Sequence, residues 1–254
     1  MGEIEIRNVS KVFDGGAKAV TALSDVTLTI PHGEFVSIVG ASGCGKSTLM
    51  NLVAGFEAPT RGSVKVGGRD VTRPGPDRGV VFQHSALFPW LTVRQNVEFG
   101  LTLRSNRNKD RGQAEAIIER VGLKTFKDHL PSQLSGGMRQ RAAIASVLAI
   151  DPEILLMDEP FGALDSLTRS IMQDFLLELW EDNRKTVLFI THDIPEAIYL
   201  SDRVVVMSSH PGTVRQIFDI DLQRPRDLEC QGTKTFIELR EAVTRMVREE
   251  VQAI

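Results

Sequence analysis

One stretch constrains this chain more than any other: Gly40-Ala-Ser-Gly-Cys-Gly-Lys-Ser47, which fits G-x-x-x-x-G-K-[ST] and is followed by Thr48. Before it, Phe35-Val-Ser-Ile-Val39 is a short apolar run suited to a central strand. After it, Leu49, Leu52 and Val53 take helical spacing through Ala54. A strand, a glycine loop and a helix in that order turn backbone N–H groups toward one centre and add the positive potential of a helix N-terminus. The ligand such a device fits is a phosphate chain. Gly40, Ser42, Gly43, Cys44, Gly45, Lys46, Ser47 and Thr48 are the expected lining, with Lys46 on the β- and γ-phosphates and Ser47 on Mg²⁺. A thiol at Cys44, beside the loop amides and Lys46, is expected to react with alkylating reagents where it is accessible.

The rest of the chain is organised around an α/β pattern. Ile4, Ile6 and Val9 alternate, as do Val26, Leu28 and Ile30, with Asp14-Gly-Gly as a turn signal between the two strands. Ser63-Val-Lys-Val and Gly79-Val-Val-Phe-Gln83 also read as strands. From about Leu91 to Ile150 the spacing turns helical, which predicts a mainly helical insertion. Ile154-Leu-Leu-Met157 and Thr186-Val-Leu-Phe-Ile190 are compact apolar strands flanking a helix that carries Ile171, Phe175, Leu176 and Leu179. Strands buried on both faces with helices between them predict a largely parallel sheet. The tail carries Phe236, Leu239, Val243, Met246, Val247 and Val251 at amphipathic helical spacing.

Several polar residues fall where that sheet would present them. Asp158 and Glu159 close an apolar strand, and neighbours on a strand point apart, so the two carboxylates are fit for different work. With a phosphate loop upstream, Asp158 is expected to hold Mg²⁺ through its water shell and Glu159 to act as the base on the attacking water. His192 ends the strand before it in the same way and is a candidate γ-phosphate contact. Gln83 also ends a strand, a position from which it reaches the metal or the water; alone it would carry no meaning. Leu134-Ser-Gly-Gly-Met138 opens a helix bearing Arg139, Gln140 and Arg141. Ser135 there reads equally as a plain N-cap or, with Gly136 and Gly137, as a second anion site.

Taken together, the phosphate loop, Gln83, Leu134-Ser-Gly-Gly-Met138, Leu155-Leu-Met-Asp-Glu-Pro160, Ala163-Leu-Asp165 and His192 resemble the ATP-binding-cassette family in order and spacing across nearly the whole chain. The resemblance implies a P-loop NTPase fold with an N-terminal antiparallel β subdomain and a helical insertion. Its expected division is an ATP-binding core at 1–87 and 151–225, a helical part at 88–150 and a helical tail at 226–254. It also implies ATP and Mg²⁺ as cofactors and a head-to-tail pair of cassettes, either two copies or a paralogue. In such a pair Ser135, Gly136 and Gly137 act on the partner's γ-phosphate and Asp165 couples the two sites. Phe13 stands where the family places an adenine-stacking aromatic, more often Tyr; a phenyl ring keeps the π-face.

The family also serves chromosome repair and translation. Only 87 residues lie between Lys46 and Leu134, without heptads, and one cassette is present. Transport is the role left. No apolar run is long enough to span a bilayer, so the resemblance implies separate membrane permease subunits, docking near Gln83–Leu91 where Leu87-Phe-Pro-Trp-Leu91 is apolar. Val81-Phe-Gln-His, Leu87-Phe-Pro-Trp90, Thr191-His-Asp-Ile-Pro-Glu-Ala197, Val204–Gly212 and Leu222-Gln-Arg-Pro-Arg226 resemble importers of nitrate, sulfonate, taurine and bicarbonate, which also use an extracytoplasmic solute-binding protein. A lipid exporter or a mechanical ATPase outside transport are the alternatives. A net charge of -3 gives no general grip on nucleic acid. Two cysteines and an N-terminus without a signal pattern lead us to expect a protein kept in the reducing cytoplasm, and the importer resemblance implies a peripheral place on the cytoplasmic face of the cell membrane. The 62 residues after His192 lead us to expect no large C-terminal domain.

Overall fold

The computed structural model describes residues 2–14, 19–102 and 111–252. Its first half runs β1 (Ile4–Asp14), β2 (Ala19–Ile30), β3 (Phe35–Gly40), α1 (Lys46–Ala54), β4 (Arg61–Val66), β5 (Arg69–Asp70), β6 (Arg78–Val81), α2 (Val93–Thr102) and α3 (Arg111–Arg120). It continues with α4 (Gly136–Ile150), β7 (Ile154–Asp158), α5 (Ser166–Asn183), β8 (Thr186–Ile190), α6 (Ile194–Leu200), β9 (Arg203–Met207), β10 (Val214–Asp219) and α7 (Lys234–Gln252). The glycines at 15 and 16, read from the sequence as part of a turn, lie outside the described residues.

The chain forms two compact units, Met1–Arg78 with Arg184–Ile254, and Gly79–Asn183. The first holds two sheets. One is antiparallel, in the order β2-β1-β4-β5. Ile4, Ile6 and Val9 of β1 and Val26, Leu28 and Ile30 of β2 are buried, the alternation expected of strands with one face on a core. The other takes the order β10-β9-β3-β8 within this unit, with β3 parallel to both β8 and β9. All six residues of β3 and all five of β8 are buried, so neither strand has an exposed face. At about 1.5–3 kcal/mol for each large side chain buried, this central pair anchors the loops at its carboxyl ends.

Polar groups fix the lower end of β3. The Phe35 N–H donates to Asp202 Oδ2 at 3.0 Å. Arg203 forms a two-pronged pair with Glu34, Nε to Oε1 at 2.6 Å and Nη2 to Oε2 at 2.5 Å. Inside the sheet, the Ser37 and Ser201 hydroxyls satisfy each other at 2.5 Å. The tail helix α7 is amphipathic as expected, but it buries only Phe236 and Val243 fully, and Val251 is exposed.

In the second unit β6 and β7 are hydrogen-bonded neighbours, and α2, α3 and α4 are the helices read between Leu91 and Ile150. Val93 and Val97 of α2, Ala114 and Ile118 of α3, and Ala142, Ile144, Ala145 and Leu148 of α4 are buried. The short 3₁₀ turns at Lys124–Phe126 and Pro131–Gln133 link α3 to α4. Among the described residues no helix is long and apolar enough to cross a membrane.

Candidate functional site

In the first unit, the phosphate loop runs from the end of β3 into α1. Gly43 and Gly45 both take left-handed backbone angles, φ 78° and 93°, which a side chain disfavours. A β-carbon at Gly45 would stand 2.6 Å from Leu23 Cδ2 and 2.9 Å from the Ala22 carbonyl, so this glycine is walled in by β2. At Gly43 a β-carbon would meet nothing within 4 Å. The loop therefore has a packed side and an open side. Gly45 is also the N-cap of α1 and brings no side chain to the free amides of the first turn. That cradle fits an anion.

Lys46 is buried, its ammonium donating to the carbonyls of Gly40 and Ala41 at 2.9 Å each. It also lies 3.6 Å from Cys44 Sγ. Cys44 is fully buried, so the reagent access on which its expected reactivity depended is closed in this conformation. Ser42 and Ser47 are exposed and Thr48 half-buried. Support comes from a segment whose place the sequence left open: the Gly212 N–H donates to the Ala22 carbonyl at 3.0 Å, and its carbonyl accepts from Ser24 N–H at 3.0 Å.

His192 belongs to the same unit. Parallel pairing sets Ile38 opposite Ile190, which carries His192 level with Gly40 two residues on. The side chain is exposed. Its loop is fixed on the far side by Asp193, whose N–H donates to Thr191 Oγ1 at 3.0 Å and whose carboxylate caps α6 by accepting from Glu196 N–H at 3.1 Å. Phe13, near the end of β1, is 39% exposed.

In the second unit, β7 ends at Asp158 and Glu159 takes φ 45°, a costly angle for a non-glycine residue that bends the chain at once into Pro160. Strain of this kind is typical of functional positions. The bend brings Glu159 Oε2 to 3.2 Å from Gln83 Nε2, joining residues 76 apart in sequence. Gln83 is steadied through a residue to which the sequence assigned no role: Gln140 of α4 is buried and donates to the Phe82 carbonyl at 3.0 Å. Of the two readings of Ser135, its oxygen does cap α4, accepting from Met138 N–H at 3.2 Å, while Ser135 and Gly136 stay exposed. The two arginines turn to carbonyls, Arg139 to Leu134 at 2.6 Å and Arg141 to Val121 at 2.8 Å. Burial pulls the Arg141 guanidinium below its usual range.

Asp165 opens α5. Its carboxylate accepts from the Thr168 N–H at 3.0 Å, and that bond holds the group below the usual carboxylate range. Nearer the helical insertion, Asn96 is a residue missed in the sequence. Buried, it accepts from Phe88 N–H at 2.8 Å and donates to the carbonyls of Phe88, Leu91 and Thr92. The turn it ties displays Trp90, 71% exposed, with the Phe88 ring centroid 5.6 Å away.

The phosphate cradle beside a parallel strand pair in one unit, and in the other a strand-end carboxylate on strained backbone that accepts from a glutamine, are each features of a P-loop ATPase. Residues 23–162 match the ABC transporter family, and the chain belongs to it, as an ATP-binding cassette ATPase. It is 47% identical over 250 residues to the uncharacterized ABC transporter ATP-binding protein MJ0412 of Methanocaldococcus jannaschii, covering 98% of this chain and 92% of that one. It is 49% identical to the nitrate import ATP-binding protein NrtD of Synechocystis, covering 92% and 87% of the two chains. The bicarbonate transport ATP-binding protein CmpD of the same organism is 48% identical, over 93% and 86%. The importer-group resemblance read from the sequence thus holds for the nitrate and bicarbonate members. Among solved structures, a dimeric post-hydrolysis form of the ATP-binding cassette MJ0796, bound to ADP and Pi, superposes with a TM-score of 0.78 at 35% identity, over 87% of this chain and all of that one.

Proposed function

We propose that this chain is the ATP-hydrolysing subunit of a solute importer, acting as a pair of cassettes on separate membrane subunits. The hydrolytic part rests on one observation above the others, the Gln83 amide on the Glu159 carboxylate. A base that must take a proton from water needs a fixed aim, and a hydrogen bond to the neighbouring amide supplies it. The open side of the phosphate loop receives the β- and γ-phosphates, with Lys46 turning its donors from loop carbonyls to phosphate oxygens. Phe13 stacks on adenine. Glu159 accepts the proton of the attacking water, the water oxygen bonds to the γ-phosphorus, and the bond to the bridging oxygen of ADP breaks. His192 contacts the γ-phosphate.

Ser47, Gln83 and Asp158 are the residues that would hold Mg²⁺. One hydroxyl, one amide oxygen and one carboxylate suit a hard cation that keeps several waters and takes the rest of its shell from phosphates. When bound, the ion neutralises charge on the β- and γ-oxygens. Ser135, Gly136 and Gly137 of one cassette close on the γ-phosphate held by the other, and Asp165 links the two sites. A cassette neighbour of 35% identity that is itself dimeric supports this pairing.

Transport is supported by relatives whose names are nitrate import and bicarbonate transport ATP-binding proteins, and by the exposed Phe88 and Trp90 beside the Gln83 loop. A permease helix seats on that apolar turn. The solute is a small anion of the nitrate or bicarbonate kind, within the wider group that includes sulfonate and taurine, delivered by an extracytoplasmic binding protein. The chain sits at the cytoplasmic face of the membrane, with 1–87 and 151–225 as ATP-binding core, 88–150 as the helical part and 226–254 as the tail. Affinity purification from native membranes tests this: recovery with a multi-span protein is expected. Recovery only with soluble partners, with ATPase activity intact, would sink the importer role.

A further inference from the structure

Phe13 is not alone at the end of β1. Lys11, two residues earlier on the same strand, holds its Nζ 4.8 Å from the centre of the Phe13 ring. That ammonium is anchored: it donates to Glu57 Oε2 at 2.7 Å and to the Ala58 carbonyl at 2.9 Å. The Lys11 side chain is 12% exposed although it carries a charge. The same loop grips the strand between them, with Val12 N–H donating to Thr60 Oγ1 and Thr60 N–H donating to the Ser10 carbonyl at 2.8 Å. The ring thus has one face against a fixed cation while the residue stays 39% exposed.

We propose that Lys11, locked by Glu57, is a positioning residue for the nucleobase: its ammonium covers one face of Phe13, sets the ring plane, and presents the opposite face to adenine. This rests on the reading of Phe13 as the adenine-stacking residue. Two physical effects act together. The cation–π attraction fixes the ring in one rotamer before the base arrives, so less freedom is lost on binding. The cation also draws ring electron density to its own side, which lessens repulsion between the outer face and the electron-rich purine. A phenyl ring has no hydroxyl with which to tether itself, so an external anchor matters more here than for Tyr. The cation–π attraction at an exposed site corresponds to about a two- to fivefold change in affinity.

Binding of ATP and of inorganic tripolyphosphate to the full chain separates the base from the phosphates. Lys11→Met keeps the alkyl stem and removes the charge. It is expected to weaken ATP about two- to fivefold while leaving tripolyphosphate affinity in place. Lys11→Arg, whose guanidinium also stacks on a ring, is expected to restore ATP binding, and Glu57→Gln to weaken it in the same sense as Lys11→Met. Phe13→Ala is the reference and should lose more ATP affinity than Lys11→Met. If Phe13→Ala loses ATP affinity and Lys11→Met does not, the role of Lys11 is overturned and the stacking role stands. If Phe13→Ala leaves ATP binding unchanged, the stacking reading itself fails. Loss of tripolyphosphate binding in Lys11→Met would show a general effect on the unit, which also overturns the proposal.

Discussion

Gly43 and Gly45 offer a matched pair of perturbations, because both are left-handed and only one is walled in. Placing alanine at a left-handed position costs about 1–2 kcal/mol, partly offset by about 0.4–1 kcal/mol from the stiffer unfolded chain. Gly43→Ala adds no contact, so its net cost is about 0.5–1 kcal/mol, or roughly 1–4 °C in Tm for a chain of this size. Gly45→Ala pays the same strain and also drives a methyl against Leu23 Cδ2 and the Ala22 carbonyl. Overpacking adds about 1–3 kcal/mol, which brings its total cost to about 1.5–4 kcal/mol and its Tm loss to roughly 3–16 °C. Nucleotide affinity should behave in a different order. The Gly43 methyl projects into the open side of the loop, and losing one charge-assisted bond to phosphate, about 1.5–3 kcal/mol, weakens ATP about 10- to 150-fold. Thermal melting and equilibrium ATP binding on the two variants read both quantities. Wild-type ATP affinity in Gly43→Ala would refute the placement of phosphate on that side, and equal Tm losses would refute the packing argument.

Two further outcomes follow from exposed or half-buried groups. Trp90→Ala removes the exposed aromatic of the Asn96-tied turn and should weaken association with the membrane subunit about 30-fold or more, as for a central aromatic anchor, with ATPase activity of the isolated chain retained; undiminished co-purification would count against docking there. Burial pushes the Cys230 thiol up, with Arg226 opposing, so less thiolate exists at a given pH than for a free cysteine. The alkylation rate of Cys230, identified by its loss in Cys230→Ser, should therefore rise at higher pH than the usual midpoint of about 8.5; a profile matching a free thiol would contradict the burial argument.

What could be read from the sequence follows how local each signal is. The phosphate loop was legible because strand, glycines, lysine and helix are contiguous between Phe35 and Ala54. The strand ends carrying Asp158 and His192 were legible because β7 and β8 are uninterrupted apolar runs. β10 was not, since it is an edge strand with mostly exposed residues, and α6 was not, being seven residues long with a proline in its first turn. The long-range polar contacts were invisible for a different reason. Gln140 reaches the Phe82 carbonyl across 58 residues and Lys11 reaches Glu57 across 46, and no periodicity announces such pairs. The left-handed angle at Glu159 likewise has no sequence mark, since glutamate ordinarily avoids it.

The most direct measurement is ATP turnover and oligomeric state of Glu159→Gln. The substitution keeps the shape of the side chain and removes its capacity to take a proton. With general-base catalysis worth about 10²–10⁴ in rate, turnover should fall at least about 100-fold. ATP should still bind, and because hydrolysis no longer dissolves the closed pair, size-exclusion chromatography with Mg-ATP should show a stable dimer. Hydrolysis at the wild-type rate would contradict the role of Glu159, and a chain that binds ATP without turnover yet stays monomeric would contradict the paired site.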